Sequence, residues 1–72
     1  MPHKTREEAE KEARRLGIDV SQVVKSDKGY FIVPQGLETR SAKMAYAKCR
    51  ADGNGAEYCS KIAWSIENEI KK

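Results

Sequence analysis

Apolar residues recur along this chain with two different periods, and the changes of period divide it into four elements. Over residues 5–16 the apolar positions, among them Ala9 and Ala13, repeat at helical spacing within a mostly charged stretch. Thr5 and Glu8 fit a capping box, in which the threonine hydroxyl accepts a hydrogen bond from the Glu8 amide. A first helix is therefore predicted over 5–16, with a narrow apolar face that another element must cover.

The period then shortens to that of β-strands. Residues 22–25 and 30–33 read QVVK and YFIV, which are rich in β-branched and aromatic residues, and SDKG between them is a turn sequence. A β-hairpin is predicted over 22–33, and Pro34 ends its second strand because proline has no N–H for a ladder. Two strands alone are marginal in water, so we expect one face of the hairpin to lie on the helices.

A second helix is predicted over 40–51. Its small apolar residues and Tyr46 share one side, whereas Ala47 falls on the opposite side with the basic residues. The DGNG sequence at 52–55 breaks this helix, and Asn54 is expected to cap the next one. The two C-terminal helices are therefore predicted to form an antiparallel hairpin.

The third helix, predicted over 55–70, carries the strongest periodic signal of the chain. Its apolar stripe consists of Cys59, Ile62, Ala63, Ile66 and Ile70. Trp64 lies off this stripe, and we expect it to pack against the β-hairpin or the first helix. The alternative is that Trp64 is an exposed anchor for a protein partner, with Phe31 or Val33 in the same interface.

Taken together, the elements predict a small α+β domain over residues 1–72, in the order helix, β-hairpin, helix, helix, with residues 1–4 disordered. A chain of 72 residues buries only about 60% of its unfolded surface, so a staple, a partner or self-association would add much to its stability. Since no apolar run exceeds five residues, we expect neither a membrane span nor a signal peptide. The expected compartment is the cytoplasm.

Charge changes this picture in one place. The chain carries 14 basic and 11 acidic side chains, for a net charge of +3, and neither half is a basic tail. The interval from Arg40 to Arg50, however, holds basic residues and no acid. The residues predicted to contact nucleic-acid phosphates are Arg40, Lys43, Lys48, Arg50 and Lys61. The other interpretation of this interval is an ordinary solvated helix face.

Cys49 and Cys59 flank the predicted turn between the last two helices. Two cysteines and one histidine offer too few ligands for a zinc site, so no metal is predicted. Nine residues separate the cysteines, whereas a thioredoxin-like redox motif has two. A disulfide is possible where two helices meet at a short turn, but reduced thiols in the core are favoured for a cytoplasmic chain.

Residues 29–67, GYFIVPQGLETRSAKMAYAKCRADGNGAEYCSKIAWSIE, carry a family resemblance. Their GYF strand, the AYAKCRA segment, and the cysteine and AW pair of the last helix resemble small uncharacterised proteins encoded in bacteriophage and prophage genomes. The resemblance implies a phage origin, and hence the cytoplasm of a bacterial host. It implies no activity.

The sequence argues against an enzyme. It has no second histidine, no paired carboxylates in an apolar setting and no glycine loop of the phosphate-binding kind. We therefore predict a non-catalytic binding module without a cofactor, whose partner is DNA or RNA. The alternative is a protein-interaction or virion accessory domain of phage origin, whose small core is completed by a partner or by self-association.

Overall fold

Three helices surround a two-stranded antiparallel hairpin in the computed structural model, which describes residues 3–71. The elements are α1 (Arg6–Arg15), β1 (Val23–Ser26), β2 (Gly29–Ile32), α2 (Arg40–Ala51) and α3 (Ala56–Ile70), with a short 3-10 turn at Val20–Gln22 before β1. The α+β class and the order helix, hairpin, helix, helix are confirmed. Helices α2 and α3 pack against each other as predicted.

The chain is tied to the hairpin before α1 begins. The His3 amide donates to the Tyr30 carbonyl over 2.9 Å, and the Tyr30 amide donates to the His3 carbonyl over 2.8 Å. Thr5 then caps α1, its hydroxyl accepting from the Glu8 amide over 3.2 Å. Disorder was expected over 1–4; residues 1 and 2 lie outside the described residues, whereas His3 extends the edge of β2.

Both faces of the hairpin are covered, whereas the sequence led us to expect one. Val24 and Phe31, which pair across the strands, face a core shared with α2 and α3. Val23 lies on the other face, in a smaller cluster with Ala9 and Ala13 of α1. The fold therefore has three layers, with α1 on one side of the hairpin and the α2–α3 pair on the other.

Helix α2 is covered on two sides, because it packs on α3 and also on β1. The predicted exposure of Ala47 is therefore wrong: only 1% of this residue is exposed, since the hairpin lies over that side of the helix. Ala42 and Ala47, both buried, let the neighbouring elements approach the α2 backbone closely. Three of the four charged residues of α2, Arg40, Lys43 and Lys48, lie on the part of its surface that borders β1.

The turn after α2 differs from the prediction in one respect. The Asn54 side chain donates to the Cys49 carbonyl over 3.1 Å, so it satisfies the end of α2 instead of capping α3. Gly55 is the N-terminal cap of α3, with no side-chain hydrogen bond. Since an asparagine in such a turn can serve either helix end, the sequence could not distinguish the two roles.

The loop between β2 and α2 packs under Trp64. The Gln22 side chain holds this loop by donating to the carbonyls of Pro34 and Leu37, over 2.6 and 2.9 Å. A Cβ placed on Gly36 would lie 3.0 Å from Trp64 Cη2, and 36% of Trp64 remains exposed. The sequence placed the hairpin or the first helix against Trp64, whereas the structure places the loop after β2, at Gly36, beside its ring.

We expect Gly36→Ala to lower the free energy of unfolding more than the matched variant Gly53→Ala. Both glycines have positive φ, 106° and 95°, which costs an L-residue about 1–2 kcal/mol. Only at Gly36 does the new methyl group meet the Trp64 ring, since no atom lies within 4 Å at Gly53. Denaturant unfolding, followed by fluorescence of this single tryptophan, compares the two variants. A larger loss for Gly53→Ala would contradict the proposed contact.

Among residues 3–71, no helix has the length and apolar character needed to cross a membrane.

Candidate nucleic-acid interface

An open groove of about 740 Å³ runs between the hairpin and α2, and we call it the hairpin–α2 groove. It is lined by cationic side chains from three elements or their connections: Arg6, Lys25, Lys28, Arg40, Lys43 and Lys48. Acidic side chains also line it: Asp27, Glu38 and Asp52. The groove therefore has a net positive lining, with cations on both walls.

The two walls follow from the local structure. The strand β1 and its turn line one wall along their whole length, because β1 has β2 on one side only. On the other wall Arg40, Met44 and Lys48 are spaced by four residues and so share one face of α2. Thr39 begins this helix, its hydroxyl accepting from the Ala42 amide over 3.3 Å. The exposed Met44 thus lies between two cations on the α2 wall.

Two of the cations have partners of their own. Lys43 Nζ donates to the Ser21 carbonyl over 3.2 Å, which links the two walls at one end of the groove. The Arg6 guanidinium lies 5.3 Å from the centre of the Tyr30 ring, in cation–π geometry. The pKa of Asp19 is lowered, first by the hydrogen bond from the Ser21 amide and also by the charge of Lys43. Within residues 3–71, no hydrogen bond or ion pair is made by the side chains of Lys25, Lys28, Arg40 and Lys48.

Three of the five residues predicted to contact phosphate lie in the groove, and two lie outside it. Arg40, Lys43 and Lys48 line the hairpin–α2 groove, whereas Arg50 and Lys61 do not. Arg50 is half-buried on another side of α2, and Lys61 is exposed on α3. These two residues are therefore removed from the candidate interface.

Half of the groove cations were not among the residues predicted to contact phosphate. Lys25 and Lys28 belong to the hairpin, and only the packing of β1 beside α2 brings them opposite Lys48. Arg6 enters the groove from the start of α1, far along the chain from the other residues. The turn sequence SDKG was the available signal for Lys28, because a hairpin turn projects its side chains into solvent.

The residues predicted to contact a protein partner differ in their exposure to solvent. Phe31 and Val33 are buried, 7% and 0% exposed, so neither can lie in an interface of the folded chain. They are buried because both belong to the core that the hairpin shares with α2 and α3. Trp64 remains partly exposed on α3, as do Tyr58 and Ile70 at 57% and 51%.

Cys49 and Cys59 form a disulfide, with their Cα atoms 5.6 Å apart. The reduced pair favoured by the sequence is thus not the state in this structure, since the short turn brings the two helix ends within bridging distance. Cys59 is fully buried and Cys49 nearly so, and neither lines the groove. Across residues 3–71 no three His, Cys, Asp or Glu side chains are grouped so that they could hold a metal ion.

A buried carboxylate connects α3 to the start of α2. Glu67, 1% exposed, accepts from the Thr39 hydroxyl over 2.7 Å and from the Thr39 and Glu38 amides over 2.9 and 3.0 Å. Lys71 Nζ lies 3.0 Å from Oε2, the oxygen that also accepts from the Glu38 amide, whereas both Thr39 donors bind Oε1. The Thr39 hydroxyl, followed by these amides and Lys71, lowers the pKa of Glu67 from 4.5 to about 2.

Glu67 was not among the residues predicted from the sequence to be functional, although its spacing along α3 indicated a buried position. Cys59, Ala63 and Glu67 are spaced by four residues, so the third position continues the buried stripe of α3. A charged residue in that register requires an ion pair or several hydrogen-bond donors, and a helix start supplies free amides. This carboxylate fixes the position of Thr39, and therefore the direction in which α2 leaves the loop.

Comparison of this chain with protein-family models, with curated proteins and with solved structures found no match.

Proposed function

We propose that this chain is a non-catalytic binding module that holds nucleic acid in the hairpin–α2 groove. The supporting observation is that cations distant in the sequence line one open groove, with Lys25 and Lys28 on one wall and Arg40 and Lys48 on the other. A phosphodiester chain carries one negative charge per nucleotide, so a strand lying in the groove would meet cations on both sides.

The lining predicts the strength of the salt dependence. Six cations and three acids leave a net charge of about +3, so the groove neutralises about three phosphates. For a duplex, three contacts weaken binding roughly 40-fold when salt rises from about 50 to about 200 mM. Fluorescence anisotropy of a labelled DNA duplex, titrated at several salt concentrations, measures this slope. A dissociation constant that does not change with salt would contradict an interface made of phosphate contacts.

Charge reversals locate the interface. Lys28 and Lys48 are exposed, lie on opposite walls and have no side-chain partner in the described part of the chain. We expect Lys28→Glu and Lys48→Glu each to weaken duplex binding about tenfold or more at about 50 mM salt. Lys61→Glu is the matched control, because it makes the same change in net charge outside the groove.

A variant that removes a negative charge tests whether weaker binding of the lysine variants could result from unfolding. Asp52 lines the groove and ends α2 through its backbone, and its side chain makes no hydrogen bond within residues 3–71. Asp52→Asn is therefore expected to tighten duplex binding several-fold while the fold is retained. If Lys61→Glu weakens binding as much as the groove variants do, binding depends on net charge and not on the groove. Absence of binding at low salt would exclude the proposed function.

Exposed apolar side chains on α3 support a second candidate function, a protein-interaction domain. Tyr58 and Ile70 are more than half exposed, and Trp64 is partly exposed on the same helix. Aromatic residues of this kind are enriched in protein interfaces. Sedimentation over a range of concentrations tests self-association, and a constant monomer mass would exclude it.

A further inference from the structure

We infer that the groove recognises the sugar–phosphate backbone of a double helix and does not read base sequence. This inference rests on the proposed function, and it specifies the class of nucleic acid and the mode of contact. Three observations carry it: the unpaired edge of β1, the chemistry of the lining, and the acids placed among the cations.

The first observation is the edge of β1 that borders the groove. Tyr30 uses both its backbone N–H and its C=O on His3, so Lys25, which pairs with Tyr30 across the hairpin, is in a non-hydrogen-bonded position. The backbone groups of Lys25 therefore point to the opposite edge of β1, along the groove. Its N–H is a neutral donor at the edge of β1, and the side chains of Lys25 and Lys28 line the same groove. Backbone amides combined with lysines are typical partners of phosphate oxygens.

The second observation is which side chains form the lining. The side chains that can donate to a ligand there are those of lysine, arginine and Ser21, because the Ser26 hydroxyl already donates to the Gly29 carbonyl. Within residues 3–71, the groove has no aromatic ring on which an unpaired base could stack. Its arginines and lysines could pair with guanine, but base readout requires a convex element that enters the DNA groove, whereas these cations line a concavity. Lysine and serine donate readily to phosphate, whereas single-strand binders combine their basic groove with aromatic rings. The lining thus favours a duplex whose bases remain paired.

The third observation is the placement of the acids. Asp27 lies at the tip of the hairpin beside Lys28, and Asp52 at the end of α2. Glu38, the third acid of the lining, precedes α2 and forms an ion pair with Lys71. Each carboxylate repels phosphate near it, so a strand would contact the cations of the lining and not the whole groove. A carboxylate-rich peptide carries one charge per residue, whereas a duplex carries one charge per about 1.7 Å of its axis, so the duplex releases more counterions on binding.

The test compares four probes at one low salt concentration. They are two DNA duplexes of equal length and unrelated sequence, a single strand with the same number of phosphates, and polyglutamate of the same charge. We expect the two duplexes to bind within about tenfold of each other and the single strand to bind about tenfold or more weakly. Polyglutamate is expected not to compete at an equal concentration of charge. An RNA duplex is added as a second source of the same backbone, and tight binding of either duplex supports the inference.

Several results would overturn this inference while leaving the proposed function intact. A preference of more than about tenfold for one duplex sequence would show base readout, and tighter binding of the single strand would show recognition of unpaired bases. Equal competition by polyglutamate would show that phosphate is not distinguished from carboxylate. Failure of every nucleic-acid probe to bind would instead remove the proposed function itself. Lys61→Glu, measured with each probe, controls for net charge throughout.

Discussion

Replacing Glu67 by glutamine is expected to lower the melting temperature of the chain by about 10 °C at neutral pH. The carboxylate accepts hydrogen bonds from the Thr39 hydroxyl and from two backbone amides, and it also pairs with Lys71. A glutamine side chain has one acceptor oxygen, and its NH₂ group would face amide donors. Some of the buried donors would therefore lose their partner, which is costly where water cannot replace it. Thermal unfolding followed by circular dichroism measures the change.

The same carboxylate gives the stability of the chain a defined pH dependence. The pKa of Glu67 is about 2 in the folded chain, against an ordinary value of 4.5. Because the folded value is the lower one, the stabilisation is complete above pH 4.5 and is lost as the pH falls towards 2. The difference in melting temperature between the wild type and Glu67→Gln should therefore shrink across that interval.

Glu57→Gln is the matched control for Glu67→Gln. Glu57 is an exposed carboxylate in the first turn of the same helix, and its loss should change stability by only a few tenths of a kcal/mol. Equal destabilisation by the two variants would contradict a special role for Glu67. So would a difference between wild type and Glu67→Gln that stays constant down to about pH 2.

Opening the disulfide between Cys49 and Cys59 is expected to lower the free energy of unfolding by about 2–3 kcal/mol. The bridge closes a short loop, with a sequence separation of 10, and so removes conformations that the unfolded chain would otherwise adopt. In a chain of 72 residues this loss lowers the melting temperature by about 15 °C. The double variant Cys49→Ser/Cys59→Ser reports the same loss without a reductant.

Intact mass and stability together test the disulfide. The oxidised chain should be lighter than the reduced chain by two hydrogens, and a thiol reductant should lower the melting temperature of the wild type but not that of the double serine variant. Because Cys59 is fully buried, reduction of the folded chain should be slower than reduction in denaturant. An unchanged mass on reduction, or equal melting temperatures with and without reductant, would show that the thiols are not bonded.

The order of elements could be predicted because its signals are local. Each signal depends only on neighbouring residues, and each element appears in the structure. The signals are the Thr5 cap, the β-branched residues on both sides of SDKG, and the apolar positions that recur every three to four residues along α3. What the sequence could not supply was the arrangement of the layers. Nothing near Ala47 indicates that a hairpin lies over it, and nothing near Phe31 indicates that the face it occupies is covered by α2 and α3.

The candidate interface was predictable only in part, for the same reason. Arg40, Lys43 and Lys48 lie in a run of sequence without acids, so their shared sign of charge was visible. Which sides of α2 and α3 face the neighbouring layers decides which cations share the groove. This arrangement brings Arg6 and the hairpin lysines to the groove and leaves Arg50 and Lys61 outside it. A helical wheel gives the angle between two residues but not the direction in which a neighbouring element lies.

Helix α2 is held at both of its ends, by the Glu67 carboxylate at Thr39 and by the disulfide at Cys49. A wall held in this way would be preorganised for the proposed nucleic-acid ligand. Association would then incur little loss of backbone entropy in α2, and the main ordering cost would fall on the flexible side chains of Lys25, Lys28 and Lys48. Under the proposed function, the ordering of these side chains and the release of counterions would govern the affinity of the groove, with α2 as a rigid support.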